Sequence, residues 1–188
     1  MKGCFTERFL YTVNPDLPPI FLSEMVKSVK SLTRESGIIN NIDGSKSLNI
    51  NIRDSSIHFL PWDSWIAGIL HNMFVSANND YFQYDLDHFD SGIQCTYYTE
   101  GQFYDWHTDG LSCNTPIKYE RKLSMSLLLT DDYKGGELEV ELKPVHETIK
   151  PKAGTAVIFP SWLPHRVKPV TSGERISLVA WMNGPKFK

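Results

Sequence analysis

The sequence predicts a mainly β domain, an antiparallel barrel or sandwich, with two helices laid against one of its sheets. Three observations predict it. From Tyr81 onward the chain breaks into eight short β-prone segments, at residues 82–86, 92–98, 103–108, 122–130, 137–142, 153–160, 165–170 and 175–182. Turn signals separate them, notably Asp131-Asp132 to Gly135-Gly136 and Thr171-Ser172-Gly173, the second read as closing a hairpin. Before Tyr81 lie two stretches whose apolar residues recur at helical steps.

The elements follow in order. Residues 5–13 are rich in aromatic and β-branched side chains and stop at Asn14-Pro15, as a strand ended by a turn does. Pro19 opens a helix in which Ile20, Phe21, Met25, Val26, Val29 and Leu32 form one face, ending near 34–37. A second helix is predicted from Pro61, with Trp62, Trp65, Ile66, Ile69, Leu70, Met73 and Phe74 as its stripe and Asp63 in its first turn. Between them, residues 36–56 are crowded with Asn, Ser, Gly and Ile without sustained periodicity, which fits either a lid over a site or a solvated loop.

With 188 residues the chain has the length of one domain, read as residues 1–80, a strand and supporting helices, beside a β-rich core at 81–188. Nineteen basic against 22 acidic residues give a net charge of −3, which offers no track for phosphates and argues against nucleic acid as a partner. No apolar run approaches the roughly 18 residues of a membrane span, and Glu7-Arg8 interrupts any signal-peptide core, so a cytoplasmic location is expected. Cys4, Cys95 and Cys113 lack C-x-x-C spacing and read as free thiols, Cys95 as a small apolar core residue. Oligomeric state is not legible.

Chemistry is suggested first by His107-Thr108-Asp109. Two positions apart on a strand, an imidazole and a carboxylate point to the same side and can share an ion. His165, opening a strand after Trp162-Leu163-Pro164, is the third candidate. Two histidines and a carboxylate suit non-haem Fe(II), because they leave coordination positions open, whereas structural zinc is usually closed by four Cys and His ligands. His58, His71, His88 and His146 have no partner at ligand spacing. Ten residues past His165 stands Arg175. If 170–171 is a hairpin tip, positions 165 and 175 are cross-strand partners, and Arg175 enters the metal's cavity. Its guanidinium could hold a carboxylate by two parallel hydrogen bonds, with Ser177 adding a hydroxyl from the same face.

These residues resemble the Fe(II)- and 2-oxoglutarate-dependent dioxygenases, in the branch of prolyl 4-hydroxylases and PKHD-type hydroxylases. The resemblance lies in Tyr98-x-x-Gly101-x-x-Tyr104-x-x-His107-x-Asp109, in Arg121-x-x-Ser124 followed by Leu127-Leu128-Leu129 and Gly135-Gly136-Glu137-Leu138, and in residues 160–181. It implies a double-stranded β-helix, the cupin-like jelly roll, with the N-terminal helices outside its major sheet. It also implies that His107, Asp109 and His165 bind Fe(II), and that Arg175, with Tyr98 and more weakly Ser177, holds the far carboxylate of 2-oxoglutarate. O2 is the other cosubstrate, and ascorbate a reductant such enzymes can use.

Arg175 departs from the Lys usual in prolyl 4-hydroxylases proper and agrees with the PKHD-type members, and Asp109 disfavours the related halogenases. The implied reaction is hydroxylation of an unactivated C–H bond, on a peptidyl proline or on a free amino acid or small metabolite. For substrate or pocket contacts the candidates are Arg121, which either touches substrate or orients an acid, together with Tyr104 and Trp181. The loop 110–120 and the 36–56 segment could flank the mouth. A jelly-roll module that binds a metal or an acid without turnover is the alternative from another class.

Overall fold

The computed structural model describes residues 9–13, 17–40, 46–90, 92–110 and 118–186. Most of their strands form two facing antiparallel sheets, a double-stranded β-helix, and Lys134–Gly135 with Val170–Ser172 and Ile39–Asn40 with Lys46–Ser47 make two small two-stranded pairs. The larger sheet runs, in spatial order, Tyr11–Val13, Ala156–Pro160, Tyr119–Leu128, Arg175–Pro185, Gly92–Tyr98, Ser56–Pro61 and Glu35–Ser36, with His88–Phe89 paired to the far end of Arg175–Pro185. The smaller runs Val145–Ile149, Leu138–Leu142, His165–Val167, Phe103–His107 and Arg53–Asp54.

Alternation along the larger sheet separates two environments. Ile93, Cys95 and Tyr97 pack in one apolar cluster with Met25, Val29, Ile66, Leu70 and Phe74 of the two helices, Pro19–Lys30 and Trp65–Ala77. Ile176, Leu178, Ala180 and Met182 join them. The intervening residues Gln94, Thr96, Tyr98, Arg175, Ser177, Val179 and Trp181 face the opposite way, into the cavity between the sheets. So the helices cover the outside of the major sheet, as expected, and the polar residues of its strands are left for the interior. The Tyr97 hydroxyl donates to the Val29 carbonyl at 2.6 Å and ties the first helix to the sheet. Among the described residues no helix is long and apolar enough to cross a membrane.

Several expectations are corrected. Residues 82–86 do not form a strand. The second helix runs into a π-helical turn, Asn78–Phe82, because the Asn78 side chain accepts from Tyr84 N (2.9 Å) and donates to Tyr84 O (3.0 Å), while Gln83 turns the chain at φ 59°. That helix begins at Trp65, capped by the Ser64 hydroxyl accepting from Ile66 N, since Pro61 ends a strand missed by helical reading. Trp62 consequently stands 68% exposed outside the stripe. The first helix ends at Lys30, and Glu35–Ser36 is already a strand. Segment 165–170 is two strands, His165–Val167 and Val170–Ser172, and Val145–Ile149 is an additional edge strand whose residues are mostly exposed.

The proposed 165/175 hairpin does not exist. Val170–Ser172 pairs with Lys134–Gly135, and Gly173, at φ +80°, turns the chain toward the other sheet. His165 is instead the partner of His107 in the smaller sheet, and Arg175 the partner of Tyr98 in the larger. Within 36–56, Arg53–Asp54 pairs with Phe103–His107 and Ser36 pairs with Ser56 in the larger sheet, while Ile39–Asn40 and Lys46–Ser47 pair with each other apart from both sheets. Cys95 is buried in the core, as expected. Of the 5–13 strand, Tyr11–Val13 is observed; residues 5–8, 14–16, 41–45 and most of the 110–120 loop lie outside the described residues, as do Cys4 and Cys113.

Candidate metal and acid-binding site

The two register pairs bring the site together. His107 and His165, cross-strand neighbours, hold their imidazole centroids 4.1 Å apart. The Phe103–His107 strand ends at His107, so Asp109 is carried by the turn beyond it and not by the strand. Backbone N–H groups of Asp109 and Gly110 both donate to the Ser161 carbonyl, at 2.9 and 3.0 Å, which fixes that turn against the corner before His165.

His107 Nδ1 lies 2.7 Å from the Asp105 carbonyl and His165 Nδ1 2.9 Å from the Leu163 carbonyl. A carbonyl can only accept, so each Nδ1 carries the proton and each Nε2 presents its lone pair. Those lone pairs face Asp109: His107 Nε2 is 3.8 Å from Oδ1 and His165 Nε2 3.5 Å from Oδ2. One donor atom from each of the three residues falls within 4.8 Å of the others. Burial and the neighbouring His165 lower the His107 imidazole to about 3, so it is neutral at pH 7. Burial alone would raise the Asp109 carboxyl; attraction to His165 and His107 in their protonated forms, the Arg121 guanidinium and the Trp181 N–H together outweigh it and lower the group to about 2. Two imidazole nitrogens and one carboxylate oxygen on one side of a cavity fit Fe(II) and leave positions open, and Cys95, packed in the core outside, adds no fourth ligand.

Around the donors are groups that orient them. Ser124 Oγ (2.8 Å) and Trp181 Nε1 (2.9 Å) both donate to Asp109 Oδ2, leaving Oδ1 toward His107. Trp181 is thus both inward-facing and polar in its use, beyond the packing role an inward strand Trp usually has. Arg121 stacks over Trp181 at 3.8 Å, pairs with Asp90 at 2.9 Å and also lines the cavity. Tyr104 lies flat against His107, with centroids 3.5 Å apart and planes 9° from parallel.

On the facing sheet Arg175, 2% exposed, donates from Nη1 to Ser177 Oγ at 2.8 Å, and its buried Nε has no acceptor among the described residues. Tyr98 is beside it, the Arg175 guanidinium carbon 5.6 Å from its ring centroid, and burial raises its phenol, so the hydroxyl keeps its proton to donate. Every predicted site residue, His107, Asp109, His165, Arg175, Tyr98, Ser177, Arg121, Tyr104 and Trp181, lines this one cavity. Sequence reasoning does not reach four that matter. Ser124 was noted only as part of a motif; Gln94 and Thr96, bonded to each other at 2.8 Å, follow Tyr98's alternation and could have been found by it; Arg53 comes from the aperiodic segment.

Comparison with known proteins follows the same half of the chain. Residues 93–183 match the 2OG-Fe(II) oxygenase superfamily. A PKHD-type hydroxylase of Alteromonas mediterranea is 39% identical over 90 residues, 45% of this chain and 40% of that protein. The chain spans less than half the length of the curated relatives it matches. Among solved structures, a Pseudomonas putida prolyl-4-hydroxylase superposes with a TM-score of 0.73 at 20% identity, over 96% of this chain and 95% of that one. A Trichoplax adhaerens prolyl hydroxylase, solved with a hypoxia inducible factor oxygen degradation domain peptide, gives 0.73 at 18% identity over 94% and 84%. Both share this fold.

Proposed function

Because residues 93–183 belong to the 2OG-Fe(II) oxygenase superfamily, we propose that the chain is a 2-oxoglutarate-dependent hydroxylase acting on a prolyl residue of a peptide, with 81–188 as its catalytic core and 1–80 as support. The observation that carries this reading is the meeting, in one cavity, of three convergent donors and a buried guanidinium with an unused N–H. A module that binds a metal alone, or a structural zinc site, has no use for the second of these, and a module that binds an acid alone has none for the first. Hydroxylation is supported by the PKHD-type relative, and the peptidyl proline by the prolyl hydroxylases that share the fold, one of them solved with a peptide.

His107 Nε2, His165 Nε2 and Asp109 Oδ1 would hold Fe(II). Bound iron, O2 and 2-oxoglutarate supply the oxidation, in which 2-oxoglutarate becomes succinate and CO2 and a substrate C–H bond becomes C–OH. The chain's own task is placement. Arg175 and Ser177 receive the distal carboxylate, with the Tyr98 hydroxyl as a further donor, and so fix how far 2-oxoglutarate reaches toward the metal. Ser124 and Trp181 keep the Asp109 carboxylate turned so that its free oxygen points at the ion. Met125, Leu138, Phe159, Val167 and Val179 line the remaining wall and exclude water from the reacting carbon.

Trp181→Phe removes one of the two donors to Asp109 while keeping an aromatic ring under Arg121. It is expected to weaken Fe(II) or Co(II) binding roughly 10- to 100-fold, read by anaerobic calorimetry, with the denaturation midpoint nearly unchanged. The functional reading itself is tested by anaerobic titration of the Fe(II)-loaded protein with 2-oxoglutarate. A weak visible charge-transfer band that is absent in His165→Ala is expected. Folded, iron-loaded protein that gives no band would return the chain to the class of non-enzymatic binding modules.

A further inference from the structure

Two buried side-chain nitrogens have no hydrogen-bond partner among the described residues, and both belong to arginines of the same cavity: Arg175 Nε and Arg53 Nη2. The first has its use in the clamp just described. Arg53 has none. It is 4% exposed, its Nε donates to Ser55 Oγ (2.9 Å) and its Nη1 to the Ile38 carbonyl (3.0 Å), both neutral acceptors. Among the described residues no carboxylate lies within ion-pair distance of it; adjacent Asp54 alternates to the other face and accepts from Gln102 Nε2 at 2.7 Å. The cavity's third arginine, Arg121, is by contrast neutralised by Asp90.

A guanidinium buried without an anion is costly, and the cost is removed when an anion arrives. The cavity's charges show how much anion is missing. Setting aside the Arg121–Asp90 pair, it contains Arg53, Arg175 and Asp109, so divalent iron raises the excess to three positive charges. The 2-oxoglutarate dianion removes two. One positive charge is left, and the one guanidinium left unpaired is Arg53.

We propose that Arg53 is a specificity residue that receives a carboxylate carried by the substrate close to the carbon to be hydroxylated. The inference rests on the functional reading above and narrows its substrate to an anionic one. Position supports it. Arg53 is the register partner of Tyr104, its guanidinium carbon lies 4.6 Å from the Tyr104 ring centroid, and that ring is the one stacked on His107. A carboxylate at Arg53 is therefore on the metal's side of the cavity, whereas Arg175 stands on the opposite sheet. The 36–56 segment is shaped to hold the guanidinium there: Gly37 N–H donates to the Ser55 carbonyl at 2.8 Å, and a Cβ at Gly37 would come within 2.3 Å of Ser55 Oγ and 2.6 Å of Arg53 Nε. The carboxylate could be the α-carboxylate of a free amino acid or an acidic group on a peptide; the chemistry at Arg53 is the same.

The test has a binding arm and a turnover arm. In metal-free protein carrying Arg175→Met, Arg53 is the cavity's remaining unpaired guanidinium, and acetate is compared with neutral acetamide by saturation-transfer NMR of their methyl protons. Saturable transfer to acetate, absent for acetamide and lost in Arg53→Met/Arg175→Met, is expected. Equal transfer to both probes, which needs no second variant to observe, or acetate transfer that survives Arg53→Met, overturns the proposal. Should Arg53→Met fail to fold, Gly37→Ala, which leaves the charge and displaces the group, takes its place.

In the turnover arm, succinate release is followed with L-proline against L-prolinamide and with end-blocked proline peptides carrying Glu against Gln beside the proline. The carboxylate member of one pair is expected to lead by about tenfold or more in kcat/KM, and that pair identifies the source. In Arg53→Met the ratio should fall toward one while the 2-oxoglutarate KM is unchanged. Equal rates within both pairs overturn the proposal. No turnover of any member counts against the oxygenase reading, and the acetate result then still decides Arg53.

Discussion

Asp109→Asn is expected to leave the protein folded and to abolish metal binding. The argument is in how the carboxylate is used. Ser124 Oγ and Trp181 Nε1 both donate to Oδ2, and an amide oxygen in that place can accept the same two bonds. The amide nitrogen then occupies the position of Oδ1 and presents two N–H donors toward the Nε2 lone pairs of His107 and His165, where the ion should be. Charge, lone pair and space are lost together, so the deficit should exceed the roughly 10- to 100-fold cost of removing a supporting hydrogen bond. Asp109→Ala loses the ion as well but also strands two buried donors, at about 1–3 kcal/mol each, and should unfold at lower denaturant. Anaerobic calorimetry with Fe(II) or Co(II), paired with urea denaturation of the metal-free proteins, separates the two effects. Metal affinity in Asp109→Asn within a few-fold of the parent chain would remove Asp109 from the ligand set.

The contrast between the triad and its surroundings shows which parts of such a site a sequence can reveal. His107 and Asp109 are legible because they sit two residues apart, and His165 because a histidine opens a strand amid apolar neighbours. Their partners are set by sheet order, which local pattern does not encode. Positions 165 and 175 are ten apart and look like the arms of a hairpin, yet Gly173 sends the second arm to the other sheet, so the histidine meets His107 and the arginine meets Tyr98. The inference that both enter one cavity survives for a different reason, since the two sheets face each other.

Arg53 is illegible for the same cause. Nothing periodic surrounds it in 36–56, and its meaning comes from pairing with Tyr104, fifty-one residues later. The strand Ser56–Pro61 was hidden by Pro61, a residue equally suited to opening a helix, and residues 82–86 were misread because an Asn78 side chain, not a strand neighbour, satisfies the backbone there.

Arg175→Met should have the second large effect, and on a different quantity. The side chain is buried, its Nη1 is held by Ser177 Oγ, and its Nε has no acceptor among the described residues, so the cost of burying this cation is already met before 2-oxoglutarate arrives. Removing the guanidinium leaves the incoming carboxylate buried opposite Tyr98 and Ser177 alone. Losing one partner of a buried charge pair costs about 2–5 kcal/mol, which corresponds to a rise in the 2-oxoglutarate Kd of roughly 30- to several-thousand-fold. Fe(II) affinity should be unchanged, since the two histidines are on the other sheet, Asp109 is on the turn that follows one of its strands, and none of the three is bonded to Arg175. Arg175→Lys should fall between, because a single ammonium keeps the charge but cannot form two parallel bonds to one carboxylate. Calorimetric titration of Mn(II)-loaded protein with 2-oxoglutarate measures all three. The ordering Arg, Lys, Met with metal affinity constant is the signature of a clamp; equal 2-oxoglutarate affinity in the parent and Arg175→Met would mean that the distal carboxylate is held elsewhere, and Arg53 would be the next guanidinium to examine.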